Sequence, residues 1–368
     1  MVVNFISDFC FPGGIPVHQA EIATILNEKY GCEIRLCVPW PLRYDMDEHK
    51  NFIYDAKRNC NLEKLYSPLK FLAEVREDQI KSIVESADIN HFHGSFSTNR
   101  SFLGEAINAL PSKKNTYYTF HSEKINPKCT SDETELLRRL DKIDTIFAVS
   151  SGVKKSVEQV VNNREIIITP NGYSLSDYSL KVKKHPFTVL FIGRLNKTKG
   201  IENILDFAQK IQNSDIRLII VGASEFDTKY DNQLEKLANS KNIIWIKKSL
   251  SKNNTLKLYS VSDVFYFPSH MEGSPLVVLD AIANGCVPVV SYAGSLKEIV
   301  KHRNNGFIFD YDDFDGQYAA IMELSRDKLM YHNMRQNVLK TKLPSWEETA
   351  DMLMKIYLKE YNSEKDYY

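Results

Sequence analysis

The chain has 368 residues, 43% of them hydrophobic, which is enough for two domains with substantial cores and ordinary for a globular protein. Lys+Arg and Asp+Glu both number 47, so the formal net charge is zero, which gives no support for a general nucleic-acid binder and leaves room only for a local basic patch. Six cysteines stand at 10, 32, 37, 60, 129 and 286, without a CxxC pair or a zinc-type Cys/His spacing. No apolar run approaches the ~20 residues that span a bilayer. The apolar start is short and runs into Asp8, unlike a signal peptide. The expectation is a cytoplasmic protein with reduced thiols.

In chain order, Val2 to Ile6 reads as a strand. A loop with Gly13-Gly14 follows, where a backbone can approach a ligand closely or simply turn into a helix; His18 breaks the GxGxxG spacing of dinucleotide folds. A helix is predicted from about Pro16 to Tyr30, a strand over Ile34 to Val38, and a polar irregular segment over 40–60. Asp45-Met46-Asp47, in that segment, has the DxD form that can hold a divalent ion and reads here as a solvated loop. Leu69 to Glu85 reads as an amphipathic helix, with Leu69, Phe71, Leu72 and Val75 beside Lys70 and Arg76, suited to core packing or to a peripheral membrane contact. Strands are predicted over Ile89 to His93, Tyr117 to Phe120, Thr145 to Val149 and Ile166 to Ile168. His91 and His93 alternate along the first of these and read as packing residues. His121 follows a strand and so sits at a sheet's carboxyl edge, as a structural residue or as one that meets a substrate hydroxyl. Thr169-Pro170-Asn171-Gly172 is a turn, and the linker is placed in the polar stretch Ser174 to His185.

The pattern restarts at Thr188 to Ile192, with later strands at Leu218 to Val221, Ile243 to Ile246, Val264 to Phe267, Val287 to Val290 and Phe307 to Phe309. Strands alternating with helices imply parallel sheets covered on both faces, hence two α/β domains, at 1–180 and 186–344. The last helix, Ser345 to about Tyr361, is expected to pack back on the first domain. Asp310, Asp312 and Asp313 fail the EF-hand spacing because position 314 is Phe.

Two strand-to-helix loops of the second half carry chemistry. Gly193-Arg194-Leu195-Asn196-Lys197-Thr198-Lys199-Gly200 follows a strand, where Arg194 can fork onto phosphate oxygens and Lys199 adds a point charge; the other reading is a solvated basic loop. Glu272-Gly273-Ser274-Pro275-Leu276 opens a helix that carries Asp280 on its second turn and stops at Gly285. Ser274 suits the N-cap, Pro275 the first helical position and Gly285 the left-handed stop. The unpaired N–H groups of such an N-terminus favour an anion, and the two carboxylates can accept hydrogen bonds from diols. A nucleotide-sugar offers both a diphosphate and diols; the plainer reading leaves Asp280 complementing the helix end and Glu272 a loop charge.

Together these pieces resemble the retaining, nucleotide-sugar-dependent glycosyltransferases of family 4. The resemblance rests on Phe191-Ile192-Gly193-Arg194-Leu195 with Lys199-Gly200, then Pro268-Ser269, Glu272 to Pro275, Asp280-Ala281, Ala283, Gly285, Pro288-Val289-Val290, Gly294, Glu298 and Gly306. Gly13-Gly14, Val149-Ser150, Pro170-Asn171-Gly172 and Trp346-Glu347 stand in the matching order. The resemblance implies the GT-B fold, two Rossmann-like parallel-sheet domains facing each other across a cleft. It implies a transfer of a hexosyl or N-acetylhexosaminyl group from a nucleoside diphosphate sugar to an acceptor hydroxyl of a glycan, glycolipid or protein, without a metal or other cofactor, in cell-surface glycan or glycolipid synthesis. Arg194 and Lys199 would neutralise the diphosphate, with Gly14 and Gly193 close to it. Glu272 and the backbone of Gly273, Ser274, Pro275 and Leu276 would hold the donor sugar, and His121 would sit near it. Asp280 stands where the family has a second glutamate on the ribose, shorter by one methylene, about 1.5 Å of reach. That departure motivates an alternative, a catalytically silent glycosyltransferase-like binding subunit.

Overall fold

The structure, a computed structural model, describes residues 1–8, 13–40, 72–96, 102–111, 115–123, 131–161, 163–177, 186–224, 228–248 and 250–365. Asp45 and Asp47, Leu69 to Phe71, and Cys10, Cys60 and Cys129 lie outside the described residues. The chain divides into two compact units, Met1–Gly172 with Pro344–Tyr368, and Tyr173–Leu343.

The first unit is a parallel sheet of seven strands. These are β1 (Val2–Ile6), β2 (Glu33–Trp40), β3 (Leu72–Arg76), β4 (Ile89–Gly94), β5 (Thr116–Phe120), β6 (Thr145–Ala148) and β7 (Ile166–Ile168), in the order β3-β2-β1-β4-β5-β6-β7. The helices are α1 (Gly14–Tyr30), α2 (Ile80–Glu85), α3 (Phe102–Asn108), α4 (Ser131–Leu140) and α5 (Ser151–Glu158). Strand β4 is buried along its whole length, as a central parallel strand must be. A core of Ile6, Phe92, Leu103, Tyr118, Ile146, Val153 and their neighbours fills one side of this sheet.

One predicted element is overturned here. Residues 72–76 form an edge strand paired with β2 (Cys37 opposite Ala73, Pro39 opposite Val75), followed by a 3-10 turn at Glu77–Gln79 and the short α2. Leu-Ala-Glu-Val-Arg fits a period of two as well as a helical period over so short a run, and pairing to β2 decides between them. Among the described residues, the amphipathic helix expected over Leu69 to Glu85, on which a membrane contact rested, is α-helical only from Ile80 to Glu85, and no described helix is long and apolar enough to cross a membrane.

The second unit is a six-stranded parallel sheet. Its strands are β8 (Thr188–Ile192), β9 (Arg217–Val221), β10 (Ile243–Ile246), β11 (Val264–Phe267), β12 (Val287–Ser291) and β13 (Phe307–Phe309), in the order β10-β9-β8-β11-β12-β13. Its helices are α6 (Ile201–Ile211), α7 (Thr228–Leu237), α8 (Lys252–Val261), α9 (Leu276–Ala283), α10 (Leu296–Ile299), α11 (Phe314–Arg326) and α12 (Lys328–Leu339). Asp313 is the N-cap of α11, its carboxylate accepting from Gly316 N–H at 3.0 Å, which accounts for one of the three clustered aspartates.

The terminal helix α13 (Trp346–Lys365) belongs to the first unit. It lies on α1, where Lys29 meets Glu347 at 2.7 Å and Asp351 at 2.8 Å. Tyr357, fully buried, reaches His91 Nδ1 at 2.5 Å.

Both sheets reverse their strand order once: between β1 and β4 in the first unit, between β8 and β11 in the second. In open α/β sheets the crevice outside the carboxyl ends of the strands at such a point is where ligands sit. Gly13-Gly14 follows β1, residues 193–200 follow β8, and residues 268–275 follow β11.

Candidate active site

At the reversal in the second unit, the loops after β8 and β11 are tied together. Asn196 caps the 3-10 turn Lys197–Lys199 by accepting from Lys199 N–H at 3.0 Å. The turn's Thr198 carbonyl accepts from His270 N–H at 2.8 Å and lies 3.0 Å from Ser269 Oγ. Lys199 Nζ donates to Glu272 Oε1 at 2.5 Å, and Ser269 Oγ lies 2.6 Å from the same oxygen. The Lys199 and Glu272 side chains retain only 19% and 9% exposure, so the pair is held largely out of water. Ser291, at the end of β12, donates in turn to the Ser269 carbonyl.

Two glycines let these loops meet. Gly200 has φ +76°, and a Cβ there would stand 2.1 Å from the Pro268 carbonyl oxygen. Gly294 has φ +54°, and its Cβ would stand 2.5 Å from the carbonyl oxygens of Glu272 and Gly273. The Gly273 carbonyl also accepts from Ser295 N–H at 3.0 Å. The 272–275 loop is thus pinned from below by the chain around 294–295.

Helix α9 begins one residue later than its sequence predicts. Pro275, not Ser274, is the N-cap residue, with φ −73° and ψ 108° and no side-chain cap bond. Its carbonyl accepts from Val278 N–H at 3.0 Å, the first turn of the helix. The stop is as expected: Gly285 is left-handed at φ +76°. Asp280, on the second turn, accepts the Ser174 backbone N–H at 2.7 Å through Oδ1.

The structure therefore brings Lys199 and Glu272 into contact and sets Gly193 and exposed Arg194 on the one loop, Gly273 to Leu276 on the other. His121 and Gly14 belong to the first unit. Gly14 opens α1, and no atom of the described residues lies within 4 Å of a Cβ placed on it.

His121 has company that the sequence reading overlooked. His121 Nε2 lies 3.1 Å from His93 Nδ1, and the His121 ring meets the His18 ring edge to face at 4.8 Å. His18 is fixed by Asn171, whose Oδ1 lies 2.8 Å from its Nδ1. His93 stacks on His91 at 4.2 Å. His91 is satisfied at both nitrogens, by Tyr357 and by Thr119 Oγ1 at 2.7 Å. Burial pushes His18 down to about 4, against the upward pull of the Asn171 hydrogen bond. Burial, and then the neighbouring imidazoles, hold His93 and His121 well below the ordinary histidine value. All are neutral at pH 7. The signal in the sequence was the His-Phe-His alternation, which puts His91 and His93 on one face of β4 beside the strand that ends before His121. His18 and Asn171 left no such trace, being 153 residues apart.

Fold and site together define a two-unit α/β protein of the GT-B type, with its tied loops at the strand-order reversal of the C-terminal sheet. The family described as Glycosyl transferases group 1 matches residues 176–341, nearly the whole of that second unit. The chain is 25% identical over 325 residues to an uncharacterized glycosyltransferase of Methanocaldococcus jannaschii, covering 80% of each chain. It is 26% identical over 355 residues to the UDP-Gal:alpha-D-GlcNAc-diphosphoundecaprenol alpha-1,3-galactosyltransferase of Escherichia coli, covering 88% of each. It also matches glycogen synthases, of whose length it spans 55% or less. Among solved structures, sucrose-phosphate synthase from Thermosynechococcus elongatus superposes with a TM-score of 0.72 at 16% identity, covering 98% of this chain and 99% of that one.

Proposed function

We propose that this protein is a retaining, metal-independent glycosyltransferase that moves a hexosyl or N-acetylhexosaminyl group from a nucleoside diphosphate sugar to an acceptor hydroxyl in glycan or glycolipid synthesis. The observation that carries the reading is the Lys199–Glu272 contact at the strand-order reversal of the second sheet, beside the N-terminus of α9. A cation, a carboxylate and helix N–H groups stand together there, and these are the groups that a diphosphate and a sugar diol call for. The galactosyltransferase relative, whose name gives UDP-Gal as its donor, supports a nucleotide-sugar.

In this reading Glu272 neutralises Lys199 while no donor is bound. With donor present, Lys199 and Arg194 meet the diphosphate and Glu272 accepts from sugar hydroxyls. The bond between the anomeric carbon and the β-phosphate oxygen breaks with its electron pair on the phosphate. Fixed positive charge and the N–H groups at the start of α9 stabilise that developing charge. The acceptor oxygen bonds to the anomeric carbon on the face the phosphate left, and its proton passes to a phosphate oxygen. His121 and Gly14 are assigned to the donor sugar and the diphosphate on the family resemblance.

The test is a panel of nucleotide-sugars assayed with chelator present, following release of the nucleoside diphosphate and the anomeric configuration of the product by NMR. Lys199→Ala and Arg194→Ala are each expected to slow transfer at least about 100-fold, the scale of removing one preorganised charge-stabilising group. Rates within twofold of the unmodified protein for both variants would end the phosphate assignment; an inverted product would end the retaining one.

A further inference from the structure

We propose that His18, His93 and His121 form a binding site for a borderline transition-metal ion of the zinc class, separate from the chemistry of transfer. Three observations carry it. One ligand atom from each residue lies within 4.8 Å of the others. His93 Nδ1 and His121 Nε2, at 3.1 Å, are already near the separation of about 3.3 Å that two nitrogens adopt on one tetrahedral zinc with bonds of 2.0–2.1 Å. His18 Nε2 is buried and has no hydrogen-bond partner among the described residues. A buried polar atom without a partner costs on the order of 1–3 kcal/mol, so the site as it stands lacks something.

The chemistry of the donor set selects the ion. Three imidazole nitrogens without a carboxylate suit Zn2+, Co2+, Ni2+ or Cu2+ and not Mg2+ or Ca2+, which take oxygen ligands. A metal ligand must be a neutral imidazole with a free lone pair. Asn171 supplies that at His18: with Asn171 Oδ1 facing Nδ1, the ring proton sits on Nδ1 and the Nε2 lone pair is left for the ion. This orients the ring as an outer hydrogen-bond partner does in known metal sites, with an amide in place of the more usual carboxylate. His93 is held from behind by the stacked ring of His91, itself locked by Tyr357 and Thr119. The fourth position would be water, reached on the side of His121, the only one of the three that is not fully buried.

The ion would not serve transfer. It would occupy the nitrogen by which His121 is proposed to meet the donor sugar, a consequence that rests on the function proposed above, whereas the binding itself does not. Zinc is then an inhibitor.

The experiment uses the full chain stripped by chelator and dialysed. Co2+ is titrated in and followed by its visible absorption, then displaced by Zn2+. One equivalent with a four- or five-coordinate spectrum is expected for the unmodified chain. His18→Ala and His93→Gln are expected to weaken binding at least 100-fold, and Asn171→Asp to tighten it, because a carboxylate raises the basicity of the ring it holds. Thermal unfolding of each variant in chelator shows whether it is folded, and Asn171→Asp carries the test should the histidine variants not fold. Absence of stoichiometric binding, or binding unchanged in the two histidine variants and in Asn171→Asp, overturns the proposal. In parallel, transfer by the unmodified chain is expected to fall on adding zinc and recover with chelator. Zinc bound in one equivalent without loss of rate supports the ion site and removes His121 from the donor.

Discussion

Asp280 is shorter than a glutamate by one methylene, and the structure gives that length a use. Its Oδ1 accepts the Ser174 N–H at 2.7 Å, while Asn284, one helical turn on, donates to Ser174 O at 2.9 Å and accepts Ser176 N–H at 2.8 Å. Asp280 on α9 and Asn284 at its C-cap thus clamp the chain at 174–176, where the sequence suggested only a polar linker. A glutamate would carry its carboxylate past the Ser174 amide. Asp280→Ala should lose about 1–3 kcal/mol by stranding that N–H, and Asp280→Asn, which keeps the acceptor oxygen, much less. Urea unfolding checks both; equal losses in the two would mean that charge, not acceptance, is what position 280 supplies. Asp280→Glu separates the clamp from ribose binding. If the clamp is the residue's main task, the variant is less stable and binds nucleoside diphosphates no better. Tighter binding with undiminished stability would return position 280 to the ribose alone.

At the scale of elements, the loops that carry the candidate site were the legible part. Strand, basic loop and helix at 188–211, and strand, acidic loop and helix at 264–283, were readable because short continuous apolar runs and the glycines at 193, 200 and 285 mark them off. Their joining was not, because Lys199 and Glu272 are 73 residues apart and only the strand order β8-β11 makes them neighbours. Residues 72–76 failed for a related reason: five residues satisfy either period, and the partner strand β2 lies more than thirty residues upstream. His93 was readable as buried but not as a partner of His121, since adjacency of β4 and β5 had to be known first. The joining of the two loops depends on Gly200, whose left-handed φ and contact with the Pro268 carbonyl leave no room for a side chain. Gly200→Ala is expected to cost at least about 1–2 kcal/mol from backbone conformation alone, and to separate Lys199 from Glu272. Its signature would be a lowered unfolding midpoint together with weakened nucleoside diphosphate binding. Normal binding at lowered stability would show that the two loops hold their ligand geometry without this contact.

For the whole molecule, the histidines set how stability changes at mild acidity, because an ordinary carboxylate titrates nearer pH 4 and an ordinary imidazole near 6.5. Four imidazoles of the first unit, at 18, 91, 93 and 121, are held by burial below the ordinary value of 6.5, His18 to about 4 and the others well below. Between pH 6.5 and 4 the unfolded chain therefore binds protons that the folded chain refuses. Stability rises with pH wherever the unfolded state holds more protons, so it is at its full value above pH 6.5 and falls as the pH is lowered through this window. The slope is up to about 1.4 kcal/mol per pH unit for each group neutral in the fold and charged when unfolded. In chelator, the urea midpoint is expected to drop steadily from pH 6.5 to 5, with amides of β4 and β5 losing hydrogen-exchange protection before those of β8 and β11. His18→Gln, which removes one of the four titrating groups, should flatten the slope. A midpoint constant across that range would mean that these rings take up protons without unfolding, and that the cluster is far more open to water than its burial implies.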